Sequence, residues 1–185
     1  MGCDVRKIHG DGFVAAGAHR REWKDPMSHS FILAAVTGAE KLTPYALARG
    51  SSDLRRAAEG LVSDRFPVIN FLLHAMSIEI GRKAAILNVD CSAAMKGRIK
   101  KKVRHDLLKV NEVYQSVCND KLFEATDLTA LGKLNRYFKG KELEYFIVEM
   151  LGAALTAFKV FPALDEIRRC NEKIEEMLRG NDYFL

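Results

Sequence analysis

The sequence predicts an all-α protein, an up-and-down bundle of four to five helices behind an N-terminal extension. Three observations carry this. Apolar residues recur three or four positions apart along successive stretches, as one buried face of a helix requires. Proline, glycine and hydrogen-bonding caps stand at the ends of those stretches. No Val-, Ile- or Thr-rich run alternates with a period of two, and no hairpin dipeptide joins two such runs.

The elements follow in chain order. Residues 1–50 are the extension and 51–185 the bundle. Gly2, Gly10, Gly12, Gly17 and Asp25-Pro26 punctuate the first part, which is expected to be irregular. One helix is expected over Ser28–Leu42, with Thr43-Pro44 as its stop, because the residue before proline avoids helical angles. A helix start is expected at Gly50-Ser51-Ser52-Asp53, where a serine hydroxyl can accept from the first free amides. Leu54, Ala58, Leu61 and Val62 form its apolar stripe. Ser63 or Asp64 then caps the next helix, with Pro67 in its first turn.

That helix, Pro67–Leu87, is apolar nearly all round and belongs at the centre of the bundle. Gly81 in its interior costs about 1 kcal/mol against alanine, which fits a helix crossing close by. Asn88–Ser92 is its exit, and the basic residues 96–104 follow as a loop. Leu107, Val110, Val113 and Tyr114 mark a helix starting near Arg104 to Asp106. Leu128, Leu131, Leu134 and Phe138 mark another over Thr126–Phe138, broken by Lys139-Gly140-Lys141. A helix over Glu142–Phe158 comes next. After Pro162 a last amphipathic helix carries Leu164, Ile167, Ile174 and Leu178 and stops at Gly180.

At 185 residues the chain is one domain, long enough to bury roughly two thirds of its unfolded surface without a disulfide or metal staple. Cys3, Cys91, Cys118 and Cys170 lie far apart without a C-x-x-C pair, so reduced thiols, no zinc site and a cytoplasmic location are expected. P-loop, dinucleotide-binding and nucleophile-elbow motifs are absent, and no metal or cofactor is expected. Charges interrupt both long apolar windows, Pro67–Leu87 and Phe146–Leu164, so no membrane association is expected. After Met1-Gly2-Cys3, Arg6 stands where a myristoylation signal has Ser or Thr.

The charge is local. Lys96, Arg98, Lys100, Lys101, Lys102 and Arg104 fall within nine residues without an acid and outweigh the whole chain's net charge of +5. Such a run attracts a polyanion, with binding that weakens in salt. No aromatic interleaves with it, so base stacking is not indicated. The same run also reads as a solvated loop between helices. Glu79 and Lys83, four apart in the central helix, share one face at ion-pair distance, as a scaffold pair or as part of a site. His74, among Leu73, Ala75 and Met76, reads as a core histidine.

Three patterns resemble the HEPN domain family in its bacterial stand-alone form: Phe71–Leu87 with Glu79 and Lys83; Arg104-His105-Asp106-Leu107, similar to the family's Gly-His-Asp-Leu; and Leu134–Tyr145. The resemblance spans Ser52 to Gly180 and implies a helical bundle, commonly a homodimer, that binds RNA or a nucleotide in a toxin, defence or stress system. Some members are metal-independent ribonucleases using an Arg and a His with four to six residues between them. Arg98 and His105, with six between them, fit that spacing at its outer limit. A cation there would stabilise developing phosphate charge while the imidazole moves a proton. The competing role for His105 is a hydrogen-bonding cap at the helix start. A third reading is a structural helical module whose basic residues meet an acidic partner protein.

Overall fold

The computed structural model describes residues 43–61, 67–141, 143 and 161–180. The expected helices over Ser28–Leu42 and Glu142–Phe158, and the caps at Ser63 and Asp64, lie outside them. Every regular element among the described residues is helical: α1 (Pro44–Glu59), α2 (Pro67–Val89), α3 (Ala93–Arg98), a π-helical turn (Ile99–Val103), α4 (Leu107–Cys118), α5 (Ala125–Lys139) and α6 (Leu164–Gly180). The all-α bundle expected from periodicity is the fold.

Helix α2 is the hub, packing against α1, α4, α5 and α6. Its near-uniform apolar surface makes this possible, since Val68, Phe71, Ala75, Ile78, Ala84, Ala85, Ile86 and Leu87 are all buried. The helix crossing expected at Gly81 is present on two sides. A Cβ built there would come within 2.5 Å of Ile174 Cγ2 on α6 and 2.7 Å of Ser51 Oγ on α1.

Helix α1 begins earlier than the serine pair indicates. Thr43 Oγ1 accepts from the Ala46 amide at 3.1 Å, and Pro44 occupies the first turn, where its missing N–H is no loss. Thr43-Pro44 therefore opens a helix, and Ser51 and Ser52 lie buried in its interior. The neighbour of Ser51 across the interface explains why serine suits that position. Ser51 Oγ donates to the Ser77 carbonyl and Ser77 Oγ donates to the Ser51 carbonyl, each at 2.8 Å. This reciprocal clasp needs two small polar residues and holds α1 close to α2.

The second half of the bundle is tied by buried polar groups. Asp127, at the start of α5, accepts from Arg169 Nε (3.1 Å) and Lys173 Nζ (2.7 Å) on α6. Burial pushes the Asp127 carboxyl up, but the bonds from Lys173, the Glu124 amide and Arg169 outweigh it and leave the group below its ordinary value. His74 is fully buried, and its Nδ1 accepts from Asn171 Nδ2 at 3.0 Å. Burial, with Arg168 and Arg55 nearby, pushes its pKa down to about 4, so it is neutral in the folded chain. It is a core histidine, as its apolar neighbours indicate.

Arg82, also on α2, is fully buried with its guanidinium carbon 4.2 Å from the Tyr114 ring centroid and 4.1 Å from that of Phe123. None of its three side-chain nitrogens has a hydrogen-bond partner among the described residues. Two π faces replace the missing acceptors, an interaction strengthened where water is excluded.

Candidate functional site

The basic run is not a loop. Ser92 Oγ accepts from the Met95 amide (3.2 Å) and starts α3, and the π turn carries the helical path on to Val103. Met95, Ile99 and Val103, four residues apart, are buried and put one side of this segment into the core. The cations are left outside. Arg98, Lys100, Lys101, Lys102 and Arg104 are exposed and Lys96 half-buried. None of these six side chains forms a hydrogen bond or ion pair with a described residue. The result is a basic ledge with an anchored apolar underside.

The ledge ends at Arg104 in an unusual conformation, φ 47° and ψ −127°. Its amide donates to the Ile99 carbonyl at 3.1 Å, a bond spanning five residues. Positive φ of this kind suits glycine, and an L-residue holds it only under the constraint of its surroundings. The constraint here includes Lys83 Nζ, which donates to the Arg104 carbonyl at 2.9 Å.

His105 follows directly and does not cap the helix. Its Nδ1 lies 3.2 Å from Oε2 of Glu79, while Oε1 of the same carboxylate is bonded to Lys83. The carboxylate only accepts, so His105 Nδ1 carries a proton and Nε2 is free to exchange one. Glu79 is buried and the His105 side chain is 50% exposed. The Glu79 bond raises the imidazole pKa above its ordinary value, against the effect of burial and of Lys83 and Lys141. The Phe138 ring meets the imidazole edge-on at 5.9 Å between centroids.

The cap of α4 is Asp106, whose Oδ1 accepts from the Lys109 amide and from Asn135 Nδ2, both at 3.1 Å. Its Oδ2 meets Lys139 Nζ at 3.0 Å. Asn135 Oδ1 accepts from the Leu107 amide at 2.8 Å. Burial pushes the Asp106 carboxyl up, but these bonds more than offset it, so its pKa lies below the ordinary value.

The residues singled out in the sequence thus divide. Glu79, Lys83, His105 and Asp106 come together where α2, the ledge, α4 and the end of α5 meet. Arg98 is exposed at the end of α3, and no hydrogen bond joins it to His105 within the chain. Sequence reasoning missed Asn135, Phe138 and Lys139 as parts of this junction. Their one-turn spacing in the Leu134–Tyr145 stretch was the available signal.

The arrangement can do two things chemically. The ledge offers unpaired cations to a polyanion. The buried carboxylate behind a half-exposed imidazole is the orienter-and-base geometry of proton-transfer sites. Among the described residues no group of three His, Cys, Asp or Glu side chains could hold a metal ion, and no helix is long and apolar enough to cross a membrane. Among the described residues, the fold and site together define an all-helical bundle that carries a basic ledge. The chain matches no family model, no curated protein and no solved structure.

Proposed function

We propose that the chain is a HEPN-like bundle that binds RNA or a nucleotide through the ledge from Lys96 to Arg104, as a homodimer in a toxin, defence or stress system. The observation that carries this reading is the ledge itself, six cations on an anchored helical segment with no described acid paired to any of them. The resemblance to the family gains support from backbone geometry. The family has glycine where this chain has Arg104, and Arg104 adopts a glycine-like positive φ.

The test is binding of labelled single-stranded RNA across a salt series. The affinity of the parent chain falls with salt, and Lys100→Ala/Lys101→Ala/Lys102→Ala weakens binding and lowers the slope by roughly two, at about 0.7 for each phosphate no longer neutralised. Equal affinity of parent and triple variant across the series overturns the reading. If the parent binds no RNA but co-purifies with one acidic protein, the structural-module reading replaces it.

A second reading is a metal-independent endoribonuclease using Arg98 and His105, favoured by the Glu79 bond that orients the imidazole. Arg98 is exposed at the end of α3, and in this reading the Arg and His groups converge from the two sides of a dimer. Labelled RNA incubated with the protein in EDTA decides it. No cleavage, or cleavage unchanged by His105→Ala, removes the reading.

A further inference from the structure

We infer that the polyanion-binding surface does not end at Arg104 but turns at His105 onto the C-terminal end of α5, where Arg136, Lys139 and Lys141 continue it. One RNA backbone then crosses both segments. The inference rests on the RNA-binding reading of the ledge and extends it to residues more than thirty positions away in sequence.

Three observations join the two segments. Lys139 Nζ lies 3.0 Å from Asp106 Oδ2, and Asn135 is bonded both to Asp106 and to the Leu107 amide, so the end of α5 is pinned beside the residues that follow the ledge. Phe138 stands edge-on to His105, and the Lys141 amide donates to the Phe138 carbonyl at 3.0 Å. Arg136 and Lys139, three apart, share the outer side of α5, because residues at that spacing are neighbours on a helix. Arg136, Lys139 and Lys141 are all exposed, and the Arg136 side chain has no hydrogen bond or ion pair with a described residue.

The electrostatics favour continuity. The two carboxylates at the junction, Glu79 and Asp106, are buried, and each is already bonded to a lysine. Neither presents a bare negative charge to a phosphate passing over His105. The described residues of the ledge side carry no acid from Ala93 to His105, and none stands in α5 from Leu128 to Lys139. An anion leaving Arg104 therefore meets cations on either side of His105.

The probe is a fluorescein-labelled 20-nucleotide single-stranded RNA of mixed sequence, titrated with the full chain at several salt concentrations. Arg136→Gln/Lys141→Gln leaves the Lys139–Asp106 pair intact, and its melting temperature is compared with that of the parent so that a loss of fold is told apart from a loss of binding. It weakens binding about five- to tenfold at moderate salt and lowers the salt slope by about 1.4, the value for two neutralised phosphates on a single strand. Lys139→Gln gives a smaller loss in the same direction. Unchanged affinity and slope in the Arg136→Gln/Lys141→Gln variant, while the triple lysine variant of the ledge weakens binding, overturn this inference and leave the ledge reading standing. Stoichiometry of two RNA molecules per protomer also overturns it, since the segments would then act separately. Absence of RNA binding by the parent, with or without capture of polyglutamate as an acidic protein surrogate, overturns both.

Discussion

Glu79 and His105 stand 26 residues apart in sequence, yet the buried carboxylate of one lies 3.2 Å from the half-exposed imidazole of the other. That bond favours the imidazolium. In the parent chain His105 therefore titrates above the ordinary 6.5, and Glu79→Gln moves its midpoint down. Its contribution to stability is fully present below about pH 6.5 and is lost as pH rises through the folded-state value. An NMR titration of the His105 ring in parent and variant checks this. An unchanged midpoint in Glu79→Gln would falsify the assignment.

His74 has the opposite sign. Its folded-state pKa of about 4 lies below the ordinary 6.5, so the unfolded chain binds the extra proton. Stability present above about pH 6.5 is lost as pH falls towards 4, by as much as about 3 kcal/mol for a fully buried group. Urea unfolding at pH 7 and pH 4.5 measures the loss. His74→Leu flattens the profile in that window, and an equally steep profile in the variant excludes His74 as its source.

Gly81→Ala destabilises the bundle even though alanine is the better helix former. The new methyl meets Ile174 Cγ2 at 2.5 Å and Ser51 Oγ at 2.7 Å, and overpacking of this kind costs about 1–3 kcal/mol, outweighing a helix-propensity gain of about 1 kcal/mol. A chemical denaturation curve gives the difference directly. A variant as stable as the parent means that α1 and α6 approach α2 less closely than described.

Arg82 separates charge from volume. Its guanidinium has two aromatic faces but no hydrogen bond to a described residue, so Arg82→Met keeps most of the packing and changes stability by less than about 1.5 kcal/mol. Arg82→Ala leaves a cavity between Tyr114 and Phe123 and costs about 2–5 kcal/mol. If both substitutions damage the fold equally, the cation–π sandwich rather than packing holds this part of the core.

The elements legible in the sequence were those with long apolar periods. Helices α2, α5 and α6 were expected within a residue or two of where they lie, and the close crossing at Gly81 followed from a glycine amid strong helix formers. Shorter signals competed and lost. Thr43-Pro44 reads equally as the end of one helix or the start of another, and the serine pair reads as a cap because the true partner of Ser51, Ser77, is on another helix. The three consecutive lysines masked the four-residue spacing of Met95, Ile99 and Val103, so the ledge read as a loop. In the candidate site, Glu79 with Lys83 was visible because the pair is local. The Glu79–His105 and Asp106–Lys139 pairs depend on how distant helices dock, which no local period encodes.

The docking that builds this junction also sets when the surface exists. The ledge is a local structure, but its bond to the rest of the basic face runs through Asp106 and Asn135, 29 residues apart. A chain with α5 undocked keeps the lysines of the ledge and loses their continuation. If the proposed RNA binding holds, a long polyanion discriminates between native and partly folded chains, and by mass action it adds to the stability of the form it prefers. In that reading the basic face reports on tertiary order, because its two segments are joined through contacts between separate elements.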